Sequence, residues 1–257
     1  MFGFYRFASV CPDLKVADTE YNAAEIIRCG KIAQGEGAAV AVFPELCITG
    51  YTCSDLFHQE LLLKNAIDCL LKIAESFKNS DMVLAVGLPL RMFGKLYNCA
   101  AFLQRGRIVA VTPKTHLPNQ PEFYEKRHFS SGRDLLFVAR PLIADLCCLG
   151  KVPVTNFFTV NGDGSEIRFG VELCEDLWPP VPPSGELALA GANVILNLSA
   201  SDALVGKGHY RRNLVLNQSA RCMAAYVYAS AGVHESTTDM VFSGHLMIAE
   251  NGTMLAE

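Results

Sequence analysis

The sequence predicts an α/β protein in which a single domain is built on a largely buried mixed sheet. Short apolar runs such as 39–43 and 194–198 are typical of strands that are buried on both faces. Segments with helical periodicity lie between these runs, and such alternation favours the α/β class. The chain has 257 residues, of which 51% are hydrophobic, and this is enough to bury one core.

Each element is assigned from its pattern and from the residues at its ends. Thr19 can cap the first helix and Gly35 can end it. Arg105-Gly106 and the segment 161–164 (Asn-Gly-Asp-Gly) are hairpin signals between strand patterns. Residues 113–133 lack periodicity, which is typical of a long functional loop. Helices are predicted at 19–34, 54–78, 184–190 and 210–223. Strands are predicted at 3–10, 39–43, 82–88, 98–104, 107–112, 153–160, 166–173, 194–198, 225–231, 245–249 and 253–255.

Composition excludes several classes of function. The net charge is -4 and there is no long basic run, so the chain lacks the electrostatic signature of a nucleic-acid-binding protein. No apolar stretch approaches the roughly 18 residues that cross a bilayer, and the N-terminus does not resemble a signal peptide. The ten cysteines show no paired framework and no metal-binding spacing, which favours reduced thiols in the cytoplasm.

The predicted hairpin 245–255 stops close to Glu257, so we expect the domain to be truncated there.

Three polar groups come directly after predicted strands. Glu45 follows the strand 39–43, Lys114 follows 107–112 and Cys174 follows 166–173. Ligands of α/β sheets gather at the carboxyl ends of strands, so these side chains can converge. A thiol nucleophile needs a base to take its proton, and a lysine can stabilise the thiolate and the oxyanion. The combination predicts acyl transfer from an amide or a nitrile.

Each of these residues also has an ordinary interpretation, as a turn carboxylate, a surface cation or a small core side chain. A serine nucleophile is not favoured because the sequence contains no G-x-S-x-G elbow, and no Cys-His signature is recognisable. His116 is the alternative candidate for the base, or it has a structural or substrate-lining role.

At these residues the sequence resembles the nitrilase, or carbon-nitrogen hydrolase, superfamily. The segments that carry the resemblance are 43–51, 114–119 and 173–178, in the order expected, and the match extends over essentially the whole chain. The resemblance implies an α-β-β-α sandwich and a Glu-Lys-Cys triad. In this triad Glu45 is the base, Lys114 stabilises the oxyanion and thiolate, and Cys174 is the nucleophile.

Further segments narrow the resemblance to the glutaminase domains of glutamine-dependent NAD synthetases. These are 122–127, 174–178, 197–201, 206–212 and 235–239. They imply that Glu125 is a second carboxylate, which orients Lys114. The implied substrate-binding positions are Tyr51, Gln120, Glu175, Trp178, Ser201 and Lys207. Gln120 departs from the pattern, because the family commonly has tyrosine there, so the resemblance implies no aromatic wall of the glutamine pocket at this position.

The resemblance implies hydrolysis of the glutamine side-chain amide through a cysteine thioester, with ammonia supplied for NAD synthesis. This step needs no cofactor and no metal. ATP and Mg²⁺ belong to a synthetase domain that we expect to be absent, because no Ser-Gly-Gly loop occurs and its nearest counterpart, 130–134, lacks the second glycine. The expected partners are glutamine, that synthetase domain and further copies of the chain in a homo-oligomer. Alternatives are a free-standing amidase or carbamoylase that acts on another small amide, and a non-catalytic scaffold.

Overall fold

The computed structural model describes residues 4–120, 122–136, 142–146, 149–161 and 166–257. Two sheets pack face to face and helices cover their outer faces, so the α-β-β-α sandwich is confirmed. The helices are α1 Thr19–Gly35, α2 Glu60–Ser76, α3 Arg133–Leu136, α4 Pro183–Leu189 and α5 Lys207–Cys222. The strands are β1 Phe7–Ser9, β2 Val40–Val42, β3 Val83–Met92, β4 Lys95–Gln104, β5 Arg107–Pro113, β6 Leu142–Asp145, β7 Lys151–Val154, β8 Phe157–Asn161, β9 Glu166–Leu173, β10 Val194–Ser199, β11 Ala225–Ser230, β12 Leu246–Glu250 and β13 Thr253–Ala256.

The first sheet has seven strands in the order β1-β2-β3-β4-β5-β7-β6. The strands β1, β2 and β3 run parallel, whereas β3, β4 and β5 form an antiparallel meander. The second sheet has six strands in the order β13-β12-β11-β10-β9-β8, with β9, β10 and β11 parallel. The carboxyl ends of β2, β5 and β9, which precede the three candidate catalytic residues, are therefore contributed by both sheets.

The alternation of side chains along each strand divides the core into layers. Val40 and Val42 of β2 pack with Leu196 and Leu198 of β10 between the two sheets. Ala41 of β2 faces the opposite way and packs with side chains of α1 and α2. Because both faces of the central strands are covered, they are almost uniformly apolar.

The expectation of one mixed sheet, made from the alternation of elements alone, is wrong. The predicted strand 153–160 is in fact divided between β7 in the first sheet and β8 in the second. A strand that is buried on both faces has the same apolar pattern whether the molecule contains one sheet or two, so periodicity did not distinguish the cases.

Other boundaries also differ from the sequence predictions. The helix predicted at 54–78 is a short 3-10 turn, Ser54–His58, followed by α2, and Ser54 has a left-handed backbone with φ of 50°. The side chain that caps α1 is Asp18, which accepts from the Tyr21 N–H at 3.1 Å, rather than Thr19. The hairpins at 105–106 and at 251–252 are confirmed. The turn predicted at 161–164 lies outside the described residues from position 162 onward.

Across the described ranges, no helix combines the length and the apolar character that spanning a membrane requires.

Gly87 of β3 allows the loop that carries Glu45 to lie directly on the first sheet. A β-carbon at position 87 would lie 2.2 Å from the Leu46 nitrogen and 2.6 Å from the Pro44 oxygen, both of which are backbone atoms. The Gly87 carbonyl also accepts from the Ile48 N–H at 3.1 Å. The position of Glu45 therefore depends on the absence of a side chain at Gly87.

We expect Gly87→Ala to destabilise the fold, because the added methyl group displaces the backbone of this loop. Overpacking costs about 1–3 kcal/mol, and the melting temperature should fall by roughly 2–12 °C. Thermal unfolding followed by circular dichroism measures this. Gly35→Ala is the matched control because a β-carbon there meets nothing within 4 Å. Equal melting temperatures for the two variants would contradict the assignment.

Candidate active site

Three of the predicted catalytic residues, Glu45, Lys114 and Glu125, meet in a buried cluster. The Lys114 ammonium donates to Glu45 Oε1 and to Glu125 Oε1, each at 2.6 Å. All three side chains are almost completely buried. Glu125 lies in a short 3-10 turn, Glu125–Arg127, within the long loop that follows β5. The structure thus brings Glu45, Lys114 and Glu125 together, as the resemblance implied.

Two further side chains complete the hydrogen bonds of the carboxylates. The Asn98 amide donates to Glu45 Oε1 at 2.6 Å and, more weakly, to Glu125 Oε2 at 3.4 Å. The Tyr51 hydroxyl donates to Glu125 Oε1 at 2.8 Å. Glu45 Oε2 is buried and has no hydrogen-bond partner in the part of the chain that the structure describes. Glu45 therefore keeps one oxygen free to accept a proton.

The cluster changes the acidity of its members. Burial raises the pKa of Glu45 to about 7, although the Lys114 charge opposes this shift. Burial would lower the pKa of Lys114, but the charges of Glu125 and Glu45 outweigh it and hold that pKa well above its usual value. Lys114 is thus a permanent cation, and Glu45 exchanges its proton close to neutral pH.

Cys174 follows β9 and has an unusual backbone for a residue other than glycine. Its φ is 43°, in the left-handed region, and its side chain is buried. Burial and the charge of Glu45 raise the pKa of its thiol, while Lys114 lowers it. At rest Cys174 is therefore a thiol, and it needs a base at the moment of attack.

Asp176 connects the loop of the lysine to the loop of the cysteine. Its buried carboxylate accepts from the Leu173 N–H at 3.0 Å, the Thr115 N–H at 3.3 Å and the His116 N–H at 2.6 Å. The His116 ring lies 3.0 Å from the same carboxylate, between Nδ1 and Oδ1. The imidazole is thus engaged with Asp176, which favours the structural role for His116 over that of a base.

Glu235 supports the opposite wall of the cluster. Its carboxylate accepts from the Tyr51 N–H at 2.6 Å, the Thr52 N–H at 3.0 Å and the Thr52 hydroxyl at 2.6 Å. Since Tyr51 in turn bonds to Glu125, a chain of contacts leads from Glu235 to Lys114. Sequence reasoning used Glu235 only as a family marker and did not identify Asn98 or Asp176 as parts of the site.

A cavity of about 310 Å³ opens beside the cluster. Tyr51 and Glu125 form part of its wall, and aromatic side chains including Phe57, Phe123 and Phe129 form much of the rest. A cavity of this size accommodates a small molecule. It is therefore the candidate binding space for an organic substrate.

Three of the remaining predicted substrate positions lie in one region near this cavity. The Lys207 ammonium pairs with the Asp202 carboxylate and lies 4.9 Å from the centre of the Trp178 ring and 5.7 Å from that of Phe123. The Ser201 hydroxyl accepts from Arg211 at 2.9 Å and is buried. The structure thus places Trp178, Ser201 and Lys207 in one region.

Gln120 and Glu175 are placed differently. The Gln120 side chain is exposed, and the backbone carbonyl of Gln120 accepts from the Phe123 N–H at 3.0 Å. Glu175 is half-buried, and burial raises the pKa of its carboxyl. Two aromatic rings, those of Phe123 and Trp178, flank the Lys207 ammonium.

One group of side chains in the described residues has the composition of a metal site. It consists of Asp55, His58 and His128, and 3.2 Å separate His58 Nε2 from His128 Nδ1. The Asp55 carboxylate is already bound by Arg127 through two contacts of 2.9 Å. Local spacing did not indicate this group because His128 lies 70 residues from His58 in the sequence.

The fold and the cluster agree with the comparison of the sequence to known families. The pattern of the carbon-nitrogen hydrolase family matches residues 6–257, so this chain belongs to that family of enzymes. The predicted resemblance is therefore confirmed. An amidase of the nitrilase superfamily from Nesterenkonia has the same fold, with a TM-score of 0.76 over 98% of this chain and 86% of that one, at 20% identity.

Among curated proteins, the chain is similar to glutamine-dependent NAD(+) synthetases. That of Mycobacterium leprae is 41% identical over 256 residues, which cover 99% of this chain and 37% of that protein. The human protein is 29% identical over 245 residues, which cover 93% of this chain and 34% of that protein. The crystal structure of the synthetase from Cytophaga hutchinsonii has a TM-score of 0.85 at 29% identity and covers 98% of this chain and 40% of that one. The chain thus spans little more than a third of the length of these relatives.

We expect Asp176→Ala to lower stability strongly, because it leaves the buried N–H groups of Leu173, Thr115 and His116 without their acceptor. Each unsatisfied buried group costs about 1–3 kcal/mol, so the melting temperature should fall by at least roughly 6 °C. Differential scanning calorimetry measures this. The control Asp134→Ala removes an exposed carboxylate and should change the melting temperature little. A small effect of Asp176→Ala would show that the two loops do not depend on this carboxylate.

Proposed function

We propose that this chain hydrolyses the side-chain amide of glutamine to glutamate and ammonia through a thioester on Cys174. The observation that carries the proposal is the buried cluster of Glu45, Lys114 and Glu125, which acts electrostatically on the Cys174 thiol. It combines a carboxylate that titrates near neutral pH, a fixed cation and a thiol, which are the groups that covalent amide hydrolysis requires.

In the first half of the reaction, the Cys174 sulfur bonds to the amide carbon while Glu45 takes the thiol proton. The electrons of the carbonyl bond move to oxygen, and Lys114 together with the backbone N–H after Cys174 stabilises that oxyanion. When the carbonyl re-forms, the C–N bond breaks and Glu45 delivers its proton to the nitrogen. Ammonia leaves and a glutamyl thioester remains.

In the second half of the reaction, a water molecule hydrolyses the thioester. Glu45 removes a proton from water, and the oxygen attacks the thioester carbon. The C–S bond then breaks, Cys174 regains a proton and glutamate is released. Glu125 holds Lys114 in place throughout by its contact of 2.6 Å. No cofactor or metal takes part in this scheme.

The choice of glutamine rests on the similarity to proteins named glutamine-dependent NAD(+) synthetases and on the region around Lys207. We assign Tyr51, Gln120, Glu175, Trp178, Ser201 and Lys207 to substrate binding. For Gln120 we assign this contact to the backbone, because a backbone contact does not depend on the tyrosine that is common at this position. Ammonia would pass to a synthetase domain, which uses ATP and Mg²⁺ to make NAD.

A second candidate is hydrolysis of another small amide by a free-standing enzyme. The observation that favours it is the residue at position 120, which is Gln120 where the glutaminase domains that the sequence resembles commonly have tyrosine.

The two functions differ in substrate preference. We expect glutamine to be hydrolysed with a kcat/KM at least about 100-fold higher than those of asparagine, propionamide and N-carbamoyl amino acids. A missing methylene group lowers kcat/KM by about 10- to 200-fold, and buried polar groups left unpaired lower it further. Ammonia release coupled to glutamate dehydrogenase measures the rates. Preference for a simple aliphatic amide or a carbamoyl compound would favour the second candidate instead.

Replacing the nucleophile should abolish turnover without loss of the fold. We expect Cys174→Ala to retain less than about a thousandth of the wild-type kcat, the size of the residual activity when a nucleophile is lost. Intact-mass spectrometry should detect the acyl adduct only where Cys174 is present. Cys69→Ala is the matched control because it removes a buried thiol from α2, in the core. Comparable activity of the two variants would exclude the covalent mechanism.

We expect Lys114→Met to be impaired in kcat rather than in KM, since the charge is needed where negative charge develops in the transition state. Loss of one oxyanion donor lowers kcat by about 100- to 1000-fold. Steady-state kinetics on the folded variant, with its melting temperature as a check, measure this. A defect confined to KM would make Lys114 a substrate-binding residue instead.

A further inference from the structure

A row of polar side chains lies behind Cys174, on the face of the second sheet that packs against α4 and α5. Neighbouring strands contribute them: Glu172 from β9, Asn197 from β10 and Tyr226 from β11. All three are fully buried, and Tyr226 belongs to an otherwise apolar layer with Leu187. Burying a carboxylate among apolar groups is costly unless it is well bonded, so the row calls for an explanation.

With Glu172 ionised, the hydrogen bonds of this row run in one direction. The Tyr226 hydroxyl donates to Glu172 Oε1, and Glu172 Oε2 accepts from the Ser184 N–H at 2.9 Å. Because its proton points to the carboxylate, the Tyr226 oxygen is an acceptor on its other side, where the Asn197 Nδ2 donates at 3.0 Å. The amide of Asn197 is therefore oriented by Glu172 through Tyr226.

With its nitrogen directed to Tyr226, Asn197 presents its oxygen to the nucleophile. Asn197 Oδ1 accepts from the backbone N–H of Cys174 at 3.1 Å and from the Ser199 hydroxyl at 2.7 Å. A reversed amide would place donors against the Cys174 N–H, which cannot accept. The row thus ends at the backbone N–H of Cys174, which donates to Asn197 Oδ1.

Cys174 needs such support because its backbone is strained. A left-handed conformation in a residue other than glycine costs on the order of 1–3 kcal/mol and persists only where the surroundings impose it. The φ of 43° turns the backbone at the end of β9, where the Cys174 thiol interacts electrostatically with Glu45 and Lys114. Without the bond from Asn197, the backbone can relax to a conformation that moves the sulfur.

We propose that Asn197 is a positioning residue for Cys174, and that Tyr226 and Glu172 set the orientation in which its amide holds the nucleophile. The inference rests on the proposed function, since it assigns the nucleophile to Cys174. It assigns Glu172, Asn197 and Tyr226 of the second sheet a role in the reaction, which they exert through the position of Cys174.

The test compares Tyr226→Phe and Asn197→Ala with the wild-type chain by the rate at which iodoacetamide alkylates Cys174. Peptide mass spectrometry resolves this site from the other cysteines, and Cys174→Ala is the blank. We expect alkylation and the kcat for glutamine to fall together, by about 3- to 10-fold in Tyr226→Phe and by at least about tenfold in Asn197→Ala, with KM changed less than about twofold. These ratios correspond to the loss of roughly one hydrogen bond.

Tyr97→Phe is the matched control, because it removes a hydroxyl from a buried tyrosine on β4 in the other sheet. It should alkylate at the wild-type rate. If Asn197→Ala does not fold, Tyr226→Phe decides the matter, since it keeps the ring and the packing. Wild-type alkylation in a folded Tyr226→Phe, with only a lowered melting temperature, would overturn the inference.

Alkylation does not require amide hydrolysis, so the two proposals fail separately. A chain that hydrolyses no amide, yet shows slower alkylation in both variants, would refute the proposed function and support the positioning role. A chain that hydrolyses glutamine, with alkylation unchanged in both variants, would do the reverse.

Discussion

The contact between the Lys114 ammonium and two buried carboxylates is the constraint on which the site depends. A charge removed from water is tolerated only when it is paired and its remaining hydrogen bonds are satisfied. Lys114 meets this requirement through Glu45 and Glu125, each at 2.6 Å. Burial raises the pKa of Glu45 to about 7, with the charge of Lys114 opposing the shift and that of Glu125 adding to it. The same arrangement that stabilises the cation thus prepares a base.

The cluster exists only because the sandwich brings distant segments together at one end. Lys114 and Glu45 follow strands of the first sheet, whereas Cys174 follows a strand of the second. Asp176 holds the cysteine loop to the lysine loop, and Glu235 holds Tyr51 against Glu125. Both links are carboxylates that accept backbone N–H groups, so they hold the backbone of these loops in place.

The two sheets support the reaction in different ways. In the first sheet, Gly87 has no side chain and Asn98 is a buried polar residue, and both serve the position of Glu45. In the second sheet, the hydrogen bond that the Cys174 N–H donates to Asn197 Oδ1 supports a strained backbone. Strain at a nucleophile needs rigid surroundings, and the buried strands β9, β10 and β11 provide them.

The sequence by itself determined the identity of the cluster and the order of most elements. Glu45, Lys114 and Cys174 stand out because each polar residue directly follows an apolar strand, and the flanking segments resemble one family. α1, the β4–β5 hairpin and β10 follow from local periodicity and turn residues, which depend only on near neighbours. Only the tertiary structure decided that the strands form two sheets and that 153–160 divides between them, because strands buried on both faces look alike in either case. It also decided the roles of Asn98, Asp176 and Asn197. Their partners lie 53, 60 and 23 residues away, and no local pattern records which distant groups a buried polar side chain will bind.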